Sequence, residues 1–124
     1  MIAPTARIVK AVKAKHPNIP FIGLPRAAGS HVARYAAQTG VDAVGIDHMT
    51  DIAAVAATLP ARLAVQGNLD PMLLMVGGAP MEAEARRLMD AMAGRPYVFN
   101  LGHGVLQHTP PDHIARLVDI VKGR

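Results

Sequence analysis

The chain has no cysteine and no tryptophan, only two tyrosines and two phenylalanines, and a single serine, Ser30. Without cysteine there is neither a disulfide scaffold nor a thiolate-ligated zinc or iron–sulfur centre. An aromatic share of 3% leaves little flat surface for stacking bases. No run of lysines and arginines builds a groove for a phosphate backbone, so nucleic acid is not an expected partner. Apolar runs such as Ala53 to Ala57 fall far short of the ~18 residues of a membrane span. The opening Met1-Ile2-Ala3-Pro4-Thr5 lacks the charged and apolar regions of a secretory signal. No GxxxxGK or GxGxxG phosphate cradle occurs, and Ser30 is not set in a nucleophile elbow. His103 and His108 lie five apart with no acid nearby, a poor spacing for a metal. The expectation is a cytoplasmic globular chain without metal, cofactor, membrane or nucleic-acid contact.

What is present suits one domain over residues 1–124: 51% of residues are hydrophobic, 18% charged, and the mean hydropathy is +0.22. Thirteen Lys and Arg stand against nine Asp and Glu, a formal charge of +4. The cations are dispersed (Lys10, Lys13 and Lys15; Arg86 and Arg87; Arg116 and Lys122), as on the solvated face of outer helices. The sign is also compatible with an acidic small-molecule substrate.

Hydrophobic periodicity alternates between two kinds along the chain. A helix is predicted over Thr5–Lys15, with Pro4 in its first turn and Ile8, Val9 and Val12 on one face. Phe21 to Leu24 is a short apolar run between prolines, read as a buried strand. Ser30 is placed to cap a second helix, closed by Gly40. Val41–Ile46 reads as a strand, Asp51–Thr58 as a short helix, and the residues around Leu63–Val65 as a third strand. Helical turns over Pro71–Val76 precede a longer helix over Pro80–Ala93, with Met81, Ala85, Leu88, Met89 and Met92 inward and Glu82 four residues before Arg86. Tyr97–Leu101 reads as the fourth strand. A last helix starts at Thr109-Pro110-Pro111-Asp112, with Thr109 as cap and Ile114, Leu117, Val118 and Val121 as its inner stripe.

Apolar strands separated by amphipathic helices describe an α/β protein of parallel βα units. Two architectures fit: a small open sheet, or half of a (β/α)8 barrel, which normally needs ~250 residues. In both, ligands bind at the carboxyl ends of the strands. The polar clusters fall there: Arg26 to Ser30, Asp47-His48, Gly67 to Pro71, and Gly102-His103-Gly104. The opposite loops, near Asn18, Gly40, Pro60 and Gly94-Arg95, read as plain turns. Each candidate also has a structural reading: Arg26 as a solvated loop charge, Asp47 as an acceptor for nearby backbone N–H groups, Asn68 as a turn former, Asp70 as an N-cap before Pro71. His48, His108 and His113 read as surface histidines. His103 stands apart, because glycines on both sides allow close backbone approach to a ligand and an imidazole there can donate, accept or transfer a proton.

Taken together, Gln66-Gly67-Asn68-Leu69-Asp70-Pro71, Asn100-Leu101-Gly102-His103-Gly104-Val105 and Thr109-Pro110-Pro111 resemble the uroporphyrinogen decarboxylase family. Val44-Gly45-Ile46-Asp47 and Ile22-Gly23-Leu24-Pro25-Arg26 match its spacing. The resemblance runs over essentially the whole chain but over only the carboxy-terminal third or so of the family's length. It implies the carboxy-terminal half of a TIM (β/α)8 barrel. It also implies a homodimeric cytoplasmic carboxy-lyase of porphyrin and heme biosynthesis, working without metal or cofactor. That enzyme decarboxylates the four acetate arms of uroporphyrinogen III, an anionic tetrapyrrole, to give coproporphyrinogen III.

By the same resemblance His103 matches the family's glycine-flanked histidine, a substrate contact in the cleft. Asn68 and Asp70 match cleft-shaping positions, and Arg26 and Asp47 are weaker substrate-binding candidates. The family's pyrrole-binding aspartate, amino-terminal arginines, active-site tyrosine and Ser/Thr-bearing loop have no counterpart here, so no catalytic residue is assigned. Gln107 stands where the family often has proline, and His48 where an aromatic residue is common. The chain alone is therefore expected to be inactive, and to self-associate or pair with the missing amino-terminal half. Two other readings are a corrinoid- or methylthiol-dependent methyltransferase of the same superfamily, which would need zinc, and a non-catalytic half-barrel acting as an interaction unit.

Overall fold

A computed structural model describes residues 1–123. Its elements run α1 (Ile2–Lys15), β1 (Ile22–Gly23), a single 3-10 turn (Gly29–His31), α2 (Val32–Thr39), β2 (Ala43–Gly45) and α3 (Ile52–Ala57). They continue as β3 (Ala64–Leu69), α4 (Pro71–Val76), α5 (Gly78–Ala91), β4 (Tyr97–Leu101) and α6 (Pro111–Val121). The four strands form one sheet in the order β1-β2-β3-β4, every pair parallel. Among the described residues no helix is long and apolar enough to cross a membrane.

Side-chain alternation divides the sheet into two unlike faces. Val44 and Val65 are fully buried on the face that the helices cover, beside Val32 and Tyr35 of α2, Ile52 of α3, Leu74 of α4 and Met81, Ala85 and Leu88 of α5. Gly23 points the same way, and a Cβ there would strike the Tyr35 ring. On the opposite face Ile22 is 48% exposed, Leu24 51% and Val98 44%, so an apolar surface lies open where a closed barrel would have its interior.

Local signals explain the element ends. Gly40 closes α2 in the left-handed region at φ 73°. Asp51 caps α3 by accepting from the N–H groups of Ala53 and Ala54. At the edge, β1 is shorter than the predicted run; the Phe21 N–H donates to the Asp42 carboxylate at 2.7 Å, and its carbonyl accepts from the N–H groups of Asp42 at 2.9 Å and Ala43 at 3.2 Å. Lys13 of α1 donates to the same carboxylate at 2.7 Å, and this bond, with that of Phe21, holds Asp42 below the ordinary carboxylate range.

Five expectations need correction. Ser30 lies in the 3-10 turn and makes no cap bond, since α2 begins at Val32 with His31 at its N-cap. Thr109 does not cap α6; Pro110 holds the N-cap position, and the Thr109 hydroxyl is buried without a partner among the described residues. Glu82 reaches across to Arg116 of α6 at 2.8 Å and 3.0 Å, rather than along α5 to Arg86. Two predicted helix faces are partly open: Ile8 of α1 is 56% exposed, and on α6 Ile114 is 37% and Val118 42% exposed, whereas Leu117 and Ile120 are buried. Ile114 and Val118 line an apolar groove with Phe99 and Leu101 beside β4, the edge strand that carries no further strand.

Arg95, in a loop read as a plain turn, ties the amino end of the sheet together. Its guanidinium donates to the carbonyls of Ala56 at 2.6 Å, Leu63 at 3.0 Å and Pro60 at 3.2 Å. One cation thus meets the carboxyl end of α3 and the chain leading into β3, where helix carbonyls lack partners. Replacing Arg95 by Ala strands those acceptors, and the expected loss is about 2 kcal/mol of unfolding free energy. Urea denaturation of both proteins measures it; a loss near zero would mean that water replaces the guanidinium freely.

Candidate functional site

Parallel pairing brings the carboxyl end of every strand to one rim, and the polar clusters meet there. Two bonds prolong the pairing past the strand ends: Ile46 N–H to the Gln66 carbonyl at 2.8 Å, and Gly102 N–H to the Leu69 carbonyl at 2.9 Å. Glycine is required at two of these positions. Gly67 has φ 128°, and a Cβ there would stand 2.5 Å from the Ile46 carbonyl oxygen. A Cβ on Gly102 would collide with the backbone of His48. The loops after β2 and β4 therefore touch across the end of β3.

A cavity of about 210 Å³ opens on the uncovered side of this rim, lined among others by Leu24, Arg26, Gln66, Asn100 and His103. Arg26, after β1, is exposed at one side, and His103, after β4, is exposed at the other. The Gly104 N–H donates to His103 Nδ1 at 2.6 Å, which places the proton of the neutral ring on Nε2. Of the two flanking glycines, Gly102 is thus needed for the approach of His48, whereas the Cβ direction of Gly104 is open. Gln66 and Asn100, quoted in the motifs but not singled out as site residues, lie on the open face. Their signal was a polar residue inside an otherwise apolar strand: Gln66 two positions before Asn68 in β3, and Asn100 between Phe99 and Leu101 in β4.

The remaining candidates hold the rim's shape. Asp47 accepts from the Ala27 N–H at 2.9 Å, the Met49 N–H at 3.1 Å and the Thr50 hydroxyl at 2.9 Å, joining the loop after β1 to that after β2. Partial burial alone would raise its carboxyl. The bonds from Ala27, Thr50 and Met49, together with the nearby His48, outweigh that effect and hold the group below its ordinary value. Asn68, only 7% exposed, donates its amide to the carbonyls of Asp47 at 2.9 Å and Thr50 at 2.6 Å. Asp70 caps α4 through the Met72 N–H at 2.8 Å.

Tyr97 is a contributor that the sequence did not reveal. Its hydroxyl donates to the Gly67 carbonyl, and burial pushes its pKa up to about 12. His113, read as a surface residue, is half-buried, and its Nδ1 lies 3.0 Å from the Leu74 carbonyl. Among the described residues no three His, Asp or Glu side chains converge on a common point.

The lining carries a guanidinium, an imidazole and two carboxamides, and no carboxylate. That donor set suits an anionic ligand. Asp47 governs the acid response of the rim. Because its folded pKa is depressed, its stabilisation is fully present above the unfolded value near 3.8 and is lost as pH falls through the lower, folded value. Replacing Asp47 by Asn is expected to cost about 1 kcal/mol at pH 7, discounted for partial exposure. The gap between the two proteins should hold steady down to about pH 5 and close as acid protonates Asp47. Denaturation midpoints across pH 2–7 check it, and a gap independent of pH would remove the carboxylate from this role.

Comparison with known proteins concerns the chain as a whole. The profile of the family described as uroporphyrinogen decarboxylase (URO-D) matches residues 1–124. The chain is 52% identical over 122 residues to the uroporphyrinogen decarboxylase of Gluconacetobacter diazotrophicus, covering 98% of this chain and 35% of that protein. It is 49% identical over 123 residues to that of Novosphingobium aromaticivorans, covering 99% and 36%. With that of Granulibacter bethesdensis it shares 48% over 120 residues, covering 97% and 35%. The chain thus spans about a third of the length of these relatives. The family's fold is a TIM barrel, and four consecutive parallel βα units are a part of one. With a family match from its first residue to its last and about half of its residues identical to those of these relatives, the chain belongs to the uroporphyrinogen decarboxylase family.

Proposed function

We propose that the chain supplies one wall of a cytoplasmic uroporphyrinogen decarboxylase active site, in which Arg26 and His103 receive a carboxylate arm of an anionic tetrapyrrole. The observation that carries this reading is the composition of the rim cavity, with two groups able to hold an anion and none to repel it. Each decarboxylation breaks one C–CO₂ bond, leaves its electron pair on the side-chain carbon and places a proton there as CO₂ departs. Arg26 offers a fixed positive charge to the departing arm or its neighbours. With Nδ1 engaged by Gly104, His103 offers Nε2–H as a donor. Asn68 serves by holding the loop after β2, and Asp70 by starting α4 at the end of β3.

The same cavity supports reading the wall as insufficient by itself. Tetrapyrrole N–H dipoles call for an acceptor of strong negative charge, whereas at this rim Asp47 is committed to Ala27, Met49 and Thr50 and Asp70 caps α4 through Met72. The open apolar face bearing Ile22, Leu24 and Val98 needs a cover, as do the two sheet edges. That cover is either the complementary part of the barrel or a second copy of this chain.

The 124-residue chain is therefore expected to sediment as a dimer or larger species and to show little or no uroporphyrinogen turnover in an anaerobic assay. Turnover should appear when an amino-terminal segment of a family member is added. Robust turnover by a monomeric chain without that segment would refute the reading.

A further inference from the structure

We propose that His48 is the positioning residue for His103, setting the ring orientation in which Nε2 is offered to a ligand carboxylate. This rests on the reading of His103 as a carboxylate contact. The two rings meet edge to face, with centroids 6.3 Å apart and planes at 73°, within the range over which aromatic pairs attract. Their backbones are also locked, because the His48 backbone occupies the space beside Gly102 that any larger residue would fill. His103 is exposed and is bonded within the fold through the Gly104 N–H, so its ring orientation needs a second constraint. The His48 ring provides it.

The hydrogen bonding of His48 favours this assignment over a role in holding the fold. Its Nδ1 is buried and has no partner among the described residues. A buried polar atom left unpaired is unfavourable and calls for a reason. The Asp47 carboxylate, its sequence neighbour, is occupied by Ala27, Met49 and Thr50 instead. Besides its electrostatic effect on Asp47, the His48 side chain meets the rim through its ring contact with His103. The loops after β2 and β4, separated by a whole strand, are coupled at this pair and at the Gly102 contact behind it.

The test compares the wild type with His48→Ala and His48→Phe, read by imidazole ¹⁵N spectra of His103 at fixed pH and by titration with uroporphyrin III, a stable octacarboxylate tetrapyrrole. In the wild type, His103 is expected to show the signature of a single Nε2–H tautomer. His48→Ala should average that signature toward both tautomers and weaken uroporphyrin binding about fivefold, a loss of about 1 kcal/mol. His48→Phe keeps a ring edge without the nitrogens, and should restore both readouts to within about twofold. An unchanged His103 signature in His48→Ala would overturn the proposal, as would a folded His48→Phe that behaves like His48→Ala. If His48→Ala fails to fold, the Phe variant decides alone: retention of the signature supports the ring contact, and loss of it refutes it. Wild type that does not bind uroporphyrin at all would overturn the reading of the cleft as a tetrapyrrole site, while the spectra would still decide the positioning.

Discussion

In-order parallel pairing constrains everything else in this chain. Because the strands follow chain order and crossovers between parallel strands are right-handed, the helices between them return along one face of the sheet, and every loop after a strand emerges at one rim. The helical return buries Val44 and Val65 and leaves Ile22, Leu24 and Val98 facing outward on the other side. The rim collects Arg26, Asp47, Asn68 and His103, which are far apart in sequence. Neither result depends on the chemistry of the side chains at the rim; that chemistry determines only what the rim then does.

At the rim there is a division of labour between shape and contact. Asp47, Asn68 and Asp70 direct their polar atoms to backbone groups: Asp47 bridges two loops, Asn68 fastens the carbonyls of Asp47 and Thr50, and Asp70 starts α4. Arg26, Gln66, Asn100 and His103 instead line the open cavity. The two sets are interlocked. Asn68 holds the carbonyl of Asp47, and Asp47 in turn holds the loop that carries Arg26.

Sequence reasoning succeeded where the governing physics is local. Asp70 sits at an N-cap because a carboxylate can reach N–H groups two residues on, and Gly40 ends α2 because little else adopts its φ of 73°. Strand order followed from periodicity and from the rule that neighbours in sequence tend to be neighbours in a parallel sheet. The failures share a cause. Arg95 bonds to carbonyls more than thirty residues away, Glu82 to an arginine on another helix, and His48 packs against Gly102 over an intervening strand. No pattern in a window of a dozen residues carries such information. Ile114 and Val118 misled for a different reason. Their apolar stripe is real, but it lines an open groove beside Phe99 and Leu101 rather than a filled core.

The sheet is also graded from one edge to the other. β3 and β4 are in register at five positions, β2 and β3 at three, and β1 and β2 at two. Amide exchange through local opening should accordingly be fastest on the β1 side and slowest where β3 meets β4. Arg26 stands on the lightly held side and His103 on the firmly held one. The cleft between them has one compliant jaw and one fixed jaw, so its width can follow the girth of what enters while the histidine side keeps its geometry.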